Sequence, residues 1–153
     1  MEAVASAQHN PSWEVIGRRL RAWCRSPASY TLLDASPAHG GTWTAGGCAL
    51  LAVALARNGF GALRAVVGRS QASGPVQPQH WVVQVPGGFL DADGFSTGPR
   101  LLARMRDDEF VQDPEIRQLQ ARDRAHVTYR PALDVESVAA VQAVLRDLLQ
   151  PQA

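Results

Sequence analysis

The chain has 153 residues, 46% of them apolar, which suits one compact domain with a real core and leaves no room for two sizeable ones. Its 15 basic residues, all arginine, nearly cancel 14 acidic ones at a formal charge of +1. That balance excludes wholesale disorder and provides no charged field to make nucleic acid or a membrane surface the main partner.

Met1 to Pro11 lacks the basic-then-apolar pattern of a signal peptide and reads as a disordered tail, residues 1–11, ahead of the domain. The longest apolar run, Cys48 to Ala56, is far too short to span a bilayer. A soluble cytoplasmic protein with reduced thiols is the expectation. A bridge between Cys24 and Cys48 would require export.

The first predicted element is a helix from Ser12 to Arg25. Ser12 is suited to cap it, and Trp13, Ile16, Leu20 and Trp23 share one face. Arg18, Arg21 and Arg25 fall elsewhere on its surface and read as solvated. Ser26 to Thr44, rich in Ser, Pro and Gly, reads as a loop. From Gly46 to Gly59 nearly every residue is apolar, with Thr44 or the glycines as start and Asn58-Gly59 as stop. A helix apolar all round is buried on all sides, so this is the expected central helix, with Cys48 in its first turn.

The period then changes. Leu63 to Val67 reads as a strand, and His80 to Val85 and Gly88 to Ala92 read as a hairpin turning at Pro86-Gly87. Thr97 or Gly98 opens a short helix through Pro99, Leu101, Leu102 and Met105. Asp113-Pro114 resembles a cap followed by proline in the first turn of another helix. Ala125 to Arg130 is a further strand candidate. Asp134 caps a closing helix with Val138, Val141, Leu145 and Leu148 on its apolar face. Helices partly segregated from an antiparallel meander make the fold class α+β.

A thiol in the first turn of a helix feels the positive end of the backbone dipole, which favours the nucleophilic thiolate. Cys48 has that position. Gly46 and Gly47 carry no side chains and are expected to leave its approach open, while first-turn amides could stabilise an oxyanion. Taken alone, such a cysteine reads better as a small residue filling a gap in an apolar helix.

The hairpin changes the weighing. With Pro86 and Gly87 as the two loop residues, Val85 faces Gly88, Gln84 faces Phe89, Val82 faces Asp91 and His80 faces Asp93. His80, Asp91 and Asp93 then project from one side of the sheet. A carboxylate beside an imidazole fixes its tautomer and stabilises the imidazolium, leaving the other nitrogen for a thiol proton. Asp93-Gly94 is also a common turn pair.

These residues resemble the papain-like fold of cysteine hydrolases and acyltransferases. A glycine-preceded cysteine opens a buried helix, and His and Asp follow on successive antiparallel strands. The order Cys, His, Asp is nearest the transglutaminase-like and arylamine N-acetyltransferase branch, and Asp91-Ala92-Asp93-Gly94-Phe95 is similar to the strand-end signature there. The resemblance implies Cys48 as nucleophile, His80 as base and Asp91 as orienter, with Asp93 as the alternative acid. It also implies a small papain-like domain over 1–153. The oxyanion glutamine of papain proper has no counterpart, since Thr42 stands there. Thr42, Trp43, Thr44 and Gly47 are the candidate oxyanion or substrate contacts.

The expected activity is hydrolysis or acyl transfer at an amide or ester through a covalent acyl-enzyme. Its partner would be a protein, peptide or small amide substrate. No cofactor is expected. Cys48, His80 and Asp91 are zinc-compatible ligand types, but no fourth ligand stands at local spacing, so no metal is expected. His39, before Gly40-Gly41, is a weaker cleft candidate, and His9 and His126 have no nameable partner. The competing readings are a non-catalytic binding module that retains the fold and a redox protein using Cys24 and Cys48.

Overall fold

A computed structural model of the chain describes residues 12–37, 41–124 and 134–150. The expected tail over 1–11, the strand candidate Ala125 to Arg130, and His9, His39 and His126 lie outside the described residues. Helix α1 spans Trp13–Cys24, and the Ser12 hydroxyl caps it by accepting the Val15 amide at 3.3 Å. It buries Ile16, Gly17, Leu20 and Cys24. Trp13 and Trp23 pack at the margin of the core.

The segment read as a loop contains a helix, α2, over Pro27–Ala35. The Ser26 hydroxyl accepts from the Ser29 amide at 3.2 Å, and Pro27 sits in the first turn, where its missing N–H costs nothing. Leu33 is wholly buried. Ser and Pro read as loop chemistry are therefore an N-terminal helix signal.

Helix α3, Cys48–Arg57, is buried from Cys48 through Leu55 and is the hub of the larger apolar core. Gly47 caps it without a side-chain bond, and Asn58 ends it. The Asn58 side-chain amide donates to the Gln142 carbonyl at 2.9 Å, tying this end to the closing helix.

Strands β1 (Ala62–Arg69), β2 (Gln77–Val85), β3 (Gly88–Asp91), β4 (Gly94–Ser96) and, after helix α4 (Gly98–Asp107), β5 (Gln112–Gln118) form one antiparallel sheet ordered β4-β3-β2-β1-β5. The short helix α5 (Ala121–Arg124) and the long α6 (Val135–Leu149) follow. Trp81, Val83, Val85 and Leu90 join the core around α3 and α6. Val66 and Val82 join a second core with Leu101 and Met105 of α4. Alternate residues of β2 thus serve different cores, which is why Trp81, Val82 and Val83 run apolar in succession.

The hairpin register is the expected one, with Val85 opposite Gly88, Gln84 opposite Phe89 and Val83 opposite Leu90. Its continuation is not. Strand β3 ends at Asp91, Ala92 and Asp93 form a turn, and Asp91 pairs with Gly94 of β4. Gly94 takes a φ of +98°, and a side chain there would strike the Gly17 carbonyl at 2.9 Å, so α1 lies directly on this turn.

Asp113-Pro114 does not open a helix. Both residues lie in β5, an edge strand, where the pairing skips from Val67–Glu115 to Arg69–Gln112. Proline is tolerated there because an edge bulge asks for no ladder donor. Asp134 does cap α6, accepting the Ser137 amide at 3.0 Å. The fully buried face is Val138, Val141, Leu145 and Leu149, with Leu148 at its margin rather than its centre. No helix among the described residues is long and apolar enough to cross a membrane.

Candidate functional site

Strand β2 carries His80 and strand β3 ends on Asp91, and the Pro86-Gly87 turn sets the two side by side. Nε2 of His80 lies 2.8 Å from Oδ2 of Asp91, with the two residues 4% and 5% exposed. Cys48, at the start of α3, lies near enough to the imidazole to favour its charged form. With Nε2 engaged by Asp91, Nδ1 is the nitrogen left for sulfur. Cys48, His80 and Asp91, drawn from a helix and two strands, are therefore brought to one place.

Burial works against charge on the ring, but the bonds and charges of Asp91 and Cys48 outweigh it and raise the His80 pKa to about 10. His80 is thus an imidazolium at neutral pH. Burial likewise opposes charge on Asp91. The hydrogen bond and charge of His80, the nearby Arg104 and the Asp93 amide together hold its carboxyl below the ordinary range. Two opposite charges in a dry place stabilise one another only when hydrogen bonds complete their shells. Here Oδ1 of Asp91 accepts the Asp93 amide at 2.9 Å.

Arg104 of α4 completes the cluster and escaped the sequence reading. Its Nη2 donates to Oδ2 of Asp91, the same oxygen that His80 uses. Its Nε lies 3.6 Å from Asp93. The available signal was its place one turn after Leu101 and beside Met105, on the inward face of an amphipathic helix, where an unpaired arginine is costly.

Asp93 is not the partner of the ring. The turn takes it out of the strand register, so it offers Asp91 its backbone amide and pairs its carboxylate with Arg104. Thr42 is a clamp on the loop before α3: its carbonyl accepts the Ala45 and Gly47 amides, and its hydroxyl accepts the Ala45 amide at 3.0 Å. The Gly47 amide is thereby spent and cannot serve an oxyanion. Nor does Gly47 keep the approach open. A side chain there would meet the Thr42 carbonyl at 2.7 Å and Leu33 at 3.0 Å, so this glycine is required by packing against α2.

Trp43 is 1% exposed and packs against Trp23 in a tilted pair with centroids 5.2 Å apart, so it belongs to the core and not to a groove. Trp81 is also fully buried in the core. Thr44, by contrast, lines a hollow of about 70 Å³ together with Gln79, His80, Asp93, Arg104 and Glu109.

The first intrahelical bond of α3 runs from Leu51 to Gly47, so the Cys48 and Ala49 amides precede the ladder. They are the donors at hand for negative charge developing beside Cys48. Cys24 and Cys48 are both free thiols, 3% and 2% exposed. Burial, then the charges of Asp91 and Asp93, push the Cys24 pKa up to about 12. Among the described residues no group of three or more His, Cys, Asp or Glu side chains is arranged to hold a metal ion. Comparison with protein-family models, with curated proteins and with solved structures finds no match to this chain.

Proposed function

We propose that the chain is a cysteine hydrolase or acyl transferase of papain-like, transglutaminase-like architecture, acting on an amide or ester of a peptide or small molecule. The observation that carries this reading is the His80 ring, bonded to Asp91 at 2.8 Å, with Cys48 near enough to favour its charged form. A nucleophile, a base and an orienting carboxylate in that order are the parts needed for acyl transfer.

In the reaction, the Cys48 thiol proton passes to the neutral His80 ring to make the imidazolium, the sulfur left as thiolate attacks the substrate carbonyl carbon, and the Cys48 and Ala49 amides take the oxyanion charge. The carbonyl re-forms as the C–N or C–O bond breaks, and the His80 imidazolium gives its proton to the leaving group. Two of the four influences raising the His80 pKa come from Cys48. Acylation neutralises the sulfur and removes its charge, so the ring becomes neutral more readily. It then takes a proton from water or an amine, which attacks the thioester and frees the acid or amide. Asp91 holds the ring throughout.

The 2% exposure of Cys48 favours the second reading, a binding module that retains the architecture without turnover. Intact-mass spectrometry after exposure to a panel of activated amides and esters separates the two. The catalytic reading predicts an acyl adduct that maps to Cys48 and is absent from Cys48→Ala. A panel leaving Cys48 unmodified, or modifying Cys48→Ala equally, overturns it.

A further inference from the structure

A second hollow, about 280 Å³ in volume, opens between α1 and the start of α4. Arg18 and Arg21 of α1 and Arg100 of α4 line it, and Phe95 and the buried Gly94 belong to its wall. Arg18 and Arg21 lie one turn apart on the same helix face. The packing of α1 onto the turn before β4, through Gly17 and Gly94, brings that face to the beginning of α4.

Among the described residues none of these three arginines is in an ion pair, whereas Arg69, Arg104 and Arg117 all are. Two carboxylates also border the hollow. Glu14 is not in an ion pair with any of the three, and Asp93 is already paired with Arg104 at 3.6 Å. Three guanidinium groups with free forks around one concavity are a site for a planar or tetrahedral oxyanion. The Thr97 hydroxyl, which makes no capping bond, is a further donor at the rim.

Asp93 lines this hollow and also the smaller one beside His80. We propose that the larger hollow binds the carboxylate or phosphate of the substrate, at the end remote from the acyl carbon that Cys48 attacks. The inference rests on the proposed function for the word substrate, and on the arginine-lined hollow for the anion. The ligand class is a small acyl compound with one oxyanion and a short apolar body to lie against Phe95.

Two measurements test it separately. In Cys48→Ala protein, calorimetric titration with benzoate and with phenyl phosphate reads the site without any chemistry, and the stronger ligand tells which oxyanion is preferred. Arg18→Gln/Arg100→Gln, made in that background, is expected to weaken the preferred anion at least about tenfold, near the effect of one charge-assisted hydrogen bond. No binding of either anion, or binding unchanged by the substitutions, overturns the site.

In protein with Cys48 intact, an activated ester bearing a free carboxylate is expected to acylate Cys48 about tenfold faster than its methyl-ester counterpart. The Arg18→Gln/Arg100→Gln pair removes that preference. Equal rates for the two esters overturn the substrate role. Absence of any acyl adduct while the anion still binds to Cys48→Ala instead sinks the catalytic reading, and with it the substrate role.

Discussion

Arg104 and His80 share one oxygen of Asp91. Oδ2 of that carboxylate faces Nε2 of His80 at 2.8 Å and also receives Nη2 of Arg104, while Oδ1 takes the Asp93 amide. The carboxylate that steadies the imidazolium is therefore itself neutralised from behind. Both of its positive neighbours compete for the same lone pairs, so the strength of the His80–Asp91 pair depends on Arg104.

Removal of Arg104 follows from this. In Arg104→Gln the ring loses a nearby positive charge and gains the undivided carboxylate oxygen. The His80 pKa should move upward from about 10, and the alkaline limb of any pH–rate profile with it. Nitrogen-detected NMR titration of the ring reads the direction. A downward shift would mean that Arg104 orients Asp91 more than it competes for it.

Substitution of the two acids should be unequal. Asp91→Asn removes the charge that holds the imidazolium and should lower turnover by about 10² to 10⁴-fold. Asp93→Asn keeps the backbone amide that serves Asp91 and loses only a pairing to Arg104 at 3.6 Å, so it should cost no more than about threefold. Rates measured on one acylating substrate compare them, and equal losses would transfer the role to the turn.

The unequal standing of these acids shows how far the sequence was legible. Period-two alternation and a two-residue Pro86-Gly87 turn determine a hairpin register, and that register puts Asp91 on the same face as His80, diagonal to it. The same rule carried two residues further misplaces Asp93, because strand length is decided by where α1 packs, at Gly17 on Gly94. Helix α3 was legible because burial on all sides leaves no polar face. Helix α2 was not, since Ser26-Pro27 serves a loop as well as a helix start. Asp113-Pro114 fits a cap and an edge bulge alike, and only the pairing with β1 decides between them. Arg104 was invisible because its partners arrive from other elements of the chain.

Stability should carry the signature of the buried pair. A His80 pKa raised from 6.5 to about 10 adds stability that is complete below pH 6.5 and is lost as pH rises through 10. The lowered Asp91 pKa adds stability present above the ordinary carboxyl pKa and lost as pH falls through its depressed value. Urea midpoints of the native chain, relative to His80→Gln, should therefore decline between pH 7 and pH 10. A constant difference over that window would contradict the raised pKa.

Packing at Gly47, next to Cys48, gives a test independent of chemistry. Gly47→Ala forces a methyl group to within 2.7 Å of the Thr42 carbonyl and 3.0 Å of Leu33, and should destabilise by about 1–3 kcal/mol. Leu33→Ala in the same background opens space and should recover part of the Leu33 component, so the two substitutions will not be additive. Urea denaturation of both single variants and the double variant checks this.

The central claim is that His80 activates Cys48, and the two cysteines of the chain provide the control. Cys48 and Cys24 are almost equally buried, at 2% and 3% exposed, so residue exposure does not separate them. The rate of alkylation by a small haloacetamide at pH 6 to 7 should be much greater for Cys48, since the Cys24 pKa stands at about 12. His80→Ala should slow Cys48 by about tenfold or more and leave Cys24 unchanged. If Cys48 labels no faster than Cys24, or if His80→Ala leaves its rate where it was, the Cys48–His80 pair is not a catalytic one.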